Sequence, residues 1–555
     1  MNSAQPDPAL RTTLSRHLYR TDRRAALRFF SLLLILSGSA MLLLLGHVPL
    51  LDNNEGMYAS IGAQMLRDGD WVIPHFNGVT YLEKPPLLYW ATAISLSLFG
   101  EHAWAARLPS ALAGMGCIIA VGCWVARRQS LEQGLISGAL LGSMAGYVLL
   151  SRTLLFDPLL TLWFTLALLL AWDARPGDRF GPSLAAICLA LAVLTKGLLA
   201  VVLFGGILLS ASLWCREARP LRALLHPLPL LVFIAVAAPW HLLAAQRDAD
   251  FLWFYFVNEH WLRFLGQRLP YDYYGGPWWY YLPRLLLLSL PWSPLLLMRP
   301  GQPWPQWARL ACCACLVPLL FFSLSRAKAN YYAVLILPWI AMLAGHVLYT
   351  RQASLARQWK YWHLAILLLA LGLLWGGILQ INSARPVLTG LLLSLAMLAI
   401  SALAISLGKR LRWLCTAQLA ILIPLSAVTL AASPHWKASS APDLAILQSR
   451  HPQADLLLFG KLESSSALAF YHPEPLRMVD SSSSDLYFGR MRGERPELFL
   501  DAATAEKQLR QGASLLVSRH DGKRFRHHPL SRQLVLLDES GMLSLYRWPE
   551  PPPGD

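Results

Sequence analysis

"FFSLLLILSGSAMLLLLGHVPLL", Phe29 to Leu51, carries no charged side chain from end to end. Apolar runs of about 17–25 residues are long enough to cross a bilayer as helix, and this one is the first of many. It is too long for the core of a signal peptide and no small-residue cleavage site follows it, so it reads as a retained signal anchor. The rest of the chain repeats the pattern. Of its 555 residues 55% are hydrophobic and 14% charged, with mean hydropathy +0.42, whereas a soluble protein has about a quarter charged residues. The expected fold is a polytopic α-helical membrane protein with about thirteen spans by the length criterion. The runs fall at 29–51, 104–126, 131–150, 156–172, 182–195, 198–214, 225–245, 280–298, 310–324, 331–349, 361–381, 387–407 and 413–433. The apolar segment 84–100 is short and reads as a re-entrant or interfacial helix.

The net charge of +16 does not point to nucleic acid. The basic residues lie in short loops between apolar runs, with no zinc spacing, basic helix or aromatic–basic sheet motif. Arg11, Arg16, Arg20, Arg23, Arg24 and Arg28 precede the first span. Alternate loops then hold Arg127/Arg128, Arg175/Arg179, Arg216/Arg219/Arg222, Arg299/Arg309, Arg351/Arg357/Lys360 and Lys409/Arg410/Arg412. A bias on every second loop marks the cytoplasmic side. It makes residues 1–28 a cytoplasmic tail, 29–433 the membrane domain, and 434–555 an extracytoplasmic α/β domain. In that last part "DLLLFG", "LRMVD", "SLLVSR" and "QLVLLDESGMLSLYRW" read as strands, with helices at "SSSALAFY" and "TAEKQLRQG". "SSSSD", Ser481 to Asp485, reads as a flexible loop and the final "PEPPPGD" as a tail. The eight cysteines all lie in or beside apolar runs. They read as buried packing groups, "CCAC" at Cys312 to Cys315 included, and no disulfide framework is expected.

The outward loops differ in kind. The first, 52–103, holds Asp52, Glu55, Glu83 and Lys84. From Gly56 its residues have helical spacing, with Met57, Ile61, Met65 and Leu66 on one face, and read as an amphipathic helix lying on the membrane. Asp52, Asn53 and Asn54 would cap it. Asp157 stands before Pro158 at a helix start. Two carboxylates converging on a cleft, Glu55 and Asp157, could orient or deprotonate an acceptor and steady an oxocarbenium-like centre. Lys84, Lys196, Arg263, Arg326 and Lys328 also fall outside. Singly, each suits snorkelling or headgroup contact. Five together beside carboxylates suit a phosphate that leaves in a transfer. Tyr81, Tyr331 and Tyr332 could add phenolic donors, or belong to an interfacial aromatic belt. Glu83 with His241, Glu259 and His260 raises a divalent metal, at a spacing that is no recognised ligand motif.

"DNNEGMYASIGAQMLRDGDWVIPHFNGVTYLEKPPLLYW" resembles the first outer loop of the GT-C glycosyltransferases that use polyprenyl-phosphate sugars, families 39/83, typified by the lipid A aminoarabinose transferases. The likeness continues through Asp157, "LTKG", "EHWLRF", "GPWWYYLPRLLL" and "SRAKANYY". It covers most of residues 29–350 in the same order; "YLEKP" is its most specific element. The resemblance implies a thirteen-helix GT-C domain with a soluble outer domain, in the bacterial inner membrane. It implies an undecaprenyl-phosphate-linked sugar donor and a lipid or glycan acceptor on the periplasmic face, lipid A being the leading example. Lys84, Arg263 and Tyr332 match positions that hold the lipid phosphate, with Tyr81 beside them. Asp157 matches a carboxylate of the cleft, and Glu83 one that can contact a metal. One departure stands out. The aminoarabinose transferases have an Asp-Glu pair before Tyr-Ala, and this chain has Asn54-Glu55; the Arg before that Tyr is Met57. Asp52 would then substitute for the missing acid. A protein O-mannosyltransferase-like enzyme shares donor and fold. A transporter or lipid flippase is the rival of another class, expected to carry internal repeats and mid-bilayer charges; the sequence has neither.

Overall fold

The computed structural model describes residues 23–175, 177–271, 275–378, 384–406, 412–431, 439–472 and 474–549. The tail arginines up to Arg20, the loop residues Lys409 and Arg410, and the end of "PEPPPGD" lie outside them. A helix stands at each expected span, and the molecule is predominantly helical. Among the described residues six helices are long and apolar enough to cross a membrane, or seven if the bent pair Leu131–Ser143 and Ala145–Ser151 is one span. Those two halves meet at 66°.

The opening run is not helical throughout. Its helix, Arg23–Leu42, stops where Leu44 takes φ 58°, and the chain unwinds to Leu51. Carbonyls freed in an apolar setting need donors, and two buried arginines supply them. Arg152 donates to Ala40 O (3.0 Å) and Leu43 O (2.5 Å). Arg107 donates to Leu45 O (3.0 Å), Val48 O (2.6 Å) and Pro49 O (2.9 Å).

The outer loop holds two helices, Asn54–Asp68 and Leu87–Phe99, joined by a hairpin of β1 (His75–Phe76) with β2 (Val79–Thr80). Its Asn77-Gly78 turn has positive φ at both residues (53° and 78°), the geometry that Asn-Gly favours. The helix Asn54–Asp68 does not lie on the membrane. Ten of its residues, Glu55 to Ala63 and Met65, are buried, because it packs against both Leu87–Phe99 and the C-terminal helix Ala467–Tyr471. A Cβ on Gly56 would overlap the Ala467 backbone. The expected cap is also absent. Asn53, the residue before the helix, makes no side-chain cap bond, and Asp52 turns to the C-terminal unit.

That unit begins with the helix Ala441–Arg450 and contains a six-stranded sheet. The strands are β3 (Leu456–Phe459), β4 (Arg477–Val479), β5 (Phe499–Leu500), β6 (Ser514–Ser518), β7 (Val535–Ser540) and β8 (Leu543–Arg547), in the order β5-β4-β3-β6-β8-β7. The first four are parallel and the β7–β8 hairpin is antiparallel. All four expected strand segments are present; β5, two residues long, was too short to show a pattern. Leu458, Leu516 and Leu545 share one buried cluster with Tyr58, Tyr89 and Phe156. The sheet is therefore packed onto the outer loop through a common core. None of the eight cysteines is in a disulfide.

Candidate active site

Two antiparallel helices set the first pair. Phe156–Trp172 and Phe180–Lys196 are joined by a short turn and pack along their length. The start of one and the end of the other therefore share a level, and Lys196 Nζ donates to Asp157 Oδ1 at 2.6 Å. The 3-10 segment Asn330–Ile336 sets two aromatic rings beneath the same ammonium, Tyr332 at 4.5 Å and Tyr331 at 5.3 Å, close enough for cation–π attraction.

A second group is a chain of alternating charges. Glu83 and Glu259 are bridged by Arg268, which donates to both and is 1% exposed. Arg263 Nη1 lies 2.7 Å from Glu259. Lys84 Nζ donates to the Glu83 carbonyl at 3.1 Å, with the Glu83 and Glu259 carboxylates at 3.6 and 3.7 Å. The cations around Glu259, Arg268 first, hold its carboxyl well below the usual range, while burial depresses the Lys84 ammonium. Three cations face two carboxylates, so the group is net positive, and Lys84 and Arg263 keep 16% and 23% exposure. Buried charges persist only when paired. The surplus here is turned toward a cavity.

That cavity has three lobes that share lining residues. An apolar lobe of about 390 Å³ is lined by Leu199, Val202, Phe256, Trp261, Phe264 and Phe321, with Lys84, Lys196, Arg263 and Tyr332 at its polar end. Those four residues also line a larger lobe of about 670 Å³, with Asn54, Tyr58, Tyr81, Glu83 and Asp157. Its outer wall is Glu463, Ser484 and Asp485 of the C-terminal unit. A third lobe of about 220 Å³, between the outer loop and Phe488 and Arg492, shares Tyr81, Glu83, Ser484 and Asp485 with it. A long apolar slot ending in cations, opening on a polar chamber with a carboxylate, can receive an amphiphilic phosphate and present its far side to a second reactant.

The structure thus brings together Lys84, Arg263, Tyr332, Tyr81, Lys196, Glu83 and Asp157. It does not bring the other expected residues to the cavity in the same sense. Glu55 is 2% exposed; its oxygens accept from Arg107 Nε (2.8 Å) and Nη2 (2.6 Å), Leu51 N and Leu154 N (both 2.9 Å). Asp52 accepts from Ser440 N (2.7 Å), Ser440 Oγ (2.9 Å) and Ala467 N (3.0 Å). Both acids fasten backbone rather than line the chamber. Lys328 reaches the cavity wall, but its ammonium caps a helix end, donating to Phe322 O (2.7 Å) and Ser323 O (2.8 Å). Arg326 is exposed and lines none of the three lobes. In place of metal ligation, His260 Nδ1 bonds Tyr255 O (2.6 Å) and Nε2 accepts from Leu198 N (3.1 Å). His241 is spent on Ala237 O and Tyr255 Oη. Among the described residues no group of three His, Cys, Asp or Glu side chains could hold a metal ion.

Sequence reading missed Arg107, Arg268 and the wall from the C-terminal unit. The serine loop carried a signal that composition hid. Glu463 accepts from Ser484 N (2.7 Å), Ser484 Oγ (2.9 Å) and Ser483 Oγ, so "SSSSD" is held as a wall instead of a flexible loop.

Residues 25–256 match the family model described as dolichyl-phosphate-mannose-protein mannosyltransferase. Two curated relatives are an undecaprenyl phosphate-alpha-4-amino-4-deoxy-L-arabinose arabinosyl transferase of Pseudomonas paraeruginosa and one of Pseudomonas fluorescens. The first is 37% identical over 58% of this chain and 60% of the relative, the second 36% over 56% and 58%. The matches thus span about 60% of these relatives' length. The described fold is GT-C. It is similar to that of ArnT from Cupriavidus metallidurans bound to undecaprenyl phosphate, at TM-score 0.78 and 24% identity over 94% of this chain and 97% of that one. The apo form matches at TM-score 0.74 and 23% identity. The resemblance to polyprenyl-phosphate-sugar glycosyltransferases is borne out, and the chain is a multi-pass membrane protein.

Proposed function

We propose that this protein is an inner-membrane glycosyltransferase that moves a sugar from an undecaprenyl-type phosphate carrier to a lipid acceptor on the periplasmic face. Aminoarabinose transfer to lipid A is the leading example. The observation that carries the reading is the seam between the two larger lobes. There Lys84, Arg263 and Tyr332 end an apolar slot and begin a polar chamber holding Asp157. The carrier's chain would occupy the slot, and its phosphate would sit against Lys84 and Arg263, with Tyr81 and Tyr332 beside them. Charge growing on that phosphate as the sugar departs would meet cations already fixed by Glu83, Glu259 and Arg268, so little reorganisation accompanies the step. Lys196, bonded to Asp157 at 2.6 Å, holds it aimed into the chamber, where it would orient the acceptor or steady the anomeric centre. Asn54, which lines the same chamber, cannot take a proton. An acceptor already ionised, such as a phosphate, needs no strong base, which favours such an acceptor here.

The reading includes thirteen crossings, a cytoplasmic N-terminus, a membrane domain of 29–433 and a periplasmic unit of 434–555. The match to the dolichyl-phosphate-mannose-protein mannosyltransferase model supports a protein acceptor as the second reading. Mass spectrometry of envelope lipids from cells with and without the gene tests the proposal. Loss of one sugar-sized adduct from a lipid is the expected result. Unchanged lipids with altered envelope glycoproteins would select the second reading.

A further inference from the structure

The segment "SRHDGKRFRHHPLSR", Ser518 to Arg532, plays no part in the cavity. It holds Arg519, Lys523, Arg524, Arg526 and Arg532 and three histidines against one acid, Asp521. That acid is buried and occupied with Lys461 N and Ser518. Arg524 is paired with Asp480. Arg519, His520, Lys523, Arg526, His527 and Arg532 are all exposed, and none of the four cations among them pairs with a described carboxylate. Arg519, His520 and Lys523 share one surface hollow with Met542. A patch of like charges self-repels unless an anion covers it.

Its position says which anion. Arg519 N donates to Met542 O, and Met542 N donates to Asp443, in the first turn of the helix Ala441–Arg450. One residue before that helix, Ser440 holds Asp52, and Ser439 Oγ donates to Leu50 O at 2.5 Å. Leu50 is one residue short of the end of the first apolar run, so the sheet unit is fastened to the outer end of that run. The hollow is therefore tied by hydrogen bonds to the segment that follows the first membrane helix, and its cations are exposed.

We propose that the surface of Arg519, His520, Lys523 and Arg526 binds the phosphates of anionic lipid headgroups in the adjoining leaflet, at a site separate from the cavity. The inference rests on the membrane fold and not on the transfer reaction. Each Arg or Lys at a lipid surface strengthens attraction to anionic headgroups about fivefold, and salt should screen it.

The test uses the full chain in phosphatidylcholine nanodiscs with and without phosphatidate. Lys523 is labelled by a water-soluble acylating reagent and its rate followed by mass spectrometry. We expect phosphatidate to slow labelling severalfold, 0.5 M salt to reverse this, and the double variant Arg519→Ala/Arg526→Ala to require about 25-fold more phosphatidate for equal protection. The wild-type comparison needs no variant to fold. Labelling unaffected by phosphatidate, or a double variant protected like wild type, overturns the proposal. Equal protection by inorganic phosphate in lipid without phosphatidate would assign the surface to a free anion and overturn it as well.

Discussion

Glu55 and Asp157 are the same kind of residue in the same kind of place. Each is a buried carboxylate in the first turn of a helix, at the same end of the membrane domain, and each has a basic partner. Their surroundings differ. Glu55 meets a guanidinium through both oxygens and two backbone N–H groups besides. Its partner Arg107 also gathers three carbonyls of the unwound segment. Among the described residues Asp157 has a single side-chain partner, Lys196, whose ammonium also stands over Tyr332, and it lines the chamber. A carboxylate with no bonding capacity left holds structure; one with capacity left, facing a cavity, can meet a reactant.

The comparison is broken most directly at Glu55. Glu55→Ala should cost about 3–5 kcal/mol, the range for removing one partner of a buried pair. It should appear as lost expression or a large fall in Tm; a full-stability variant would place Glu55 with Asp157. Asp157→Asn should lower transfer by about 10²–10³-fold, the scale of losing one transition-state contact, with Tm nearly unmoved. A collapse of Tm there would erase the contrast. Lys84→Ala should weaken use of the donor by about 1.5–3 kcal/mol, the worth of a charge-assisted bond, seen as a higher donor KM with the acceptor KM unchanged.

Asp52 sharpens the contrast through pH. Burial pushes its carboxyl from 3.8 up to about 6, against the bonds from Ala467 and Ser440. The folded value lies above the unfolded one. Its stabilising contribution is therefore complete below about pH 4 and lost as pH rises through about 6. The Tm difference between wild type and Asp52→Asn should shift against wild type across that window; a flat difference would mean that Asp52 does not titrate there. Arg326→Ala should leave stability and transfer unchanged, and a tenfold loss would return Arg326 to the site.

Much of the cavity was legible for a definite reason. Lys84, Asp157, Lys196 and Tyr332 lie at the ends of apolar runs and Arg263 in the aromatic loop between two of them; singly each suits an interface, but together they gather on one side. Arg107 and Arg268 were not legible, because the partners of Arg107 and the Glu83 that Arg268 bridges to Glu259 are far along the chain. Lys328 was misread because a helix end is also a sink for an ammonium, and residue type cannot separate the two uses. The serine loop escaped because its composition is that of a linker while Glu463, nearly twenty residues earlier, holds it.

Run length and loop charge, both local, determined the helical membrane architecture, the strand segments of the C-terminal unit and the end of the membrane at which charge gathers. Tertiary structure alone decided which of the buried acids keeps bonding capacity, where the opening run unwinds, and that the C-terminal unit closes the chamber. The physical reason is that burial and periodicity are written residue by residue, whereas a carboxylate's role depends on which donors distant segments bring to it.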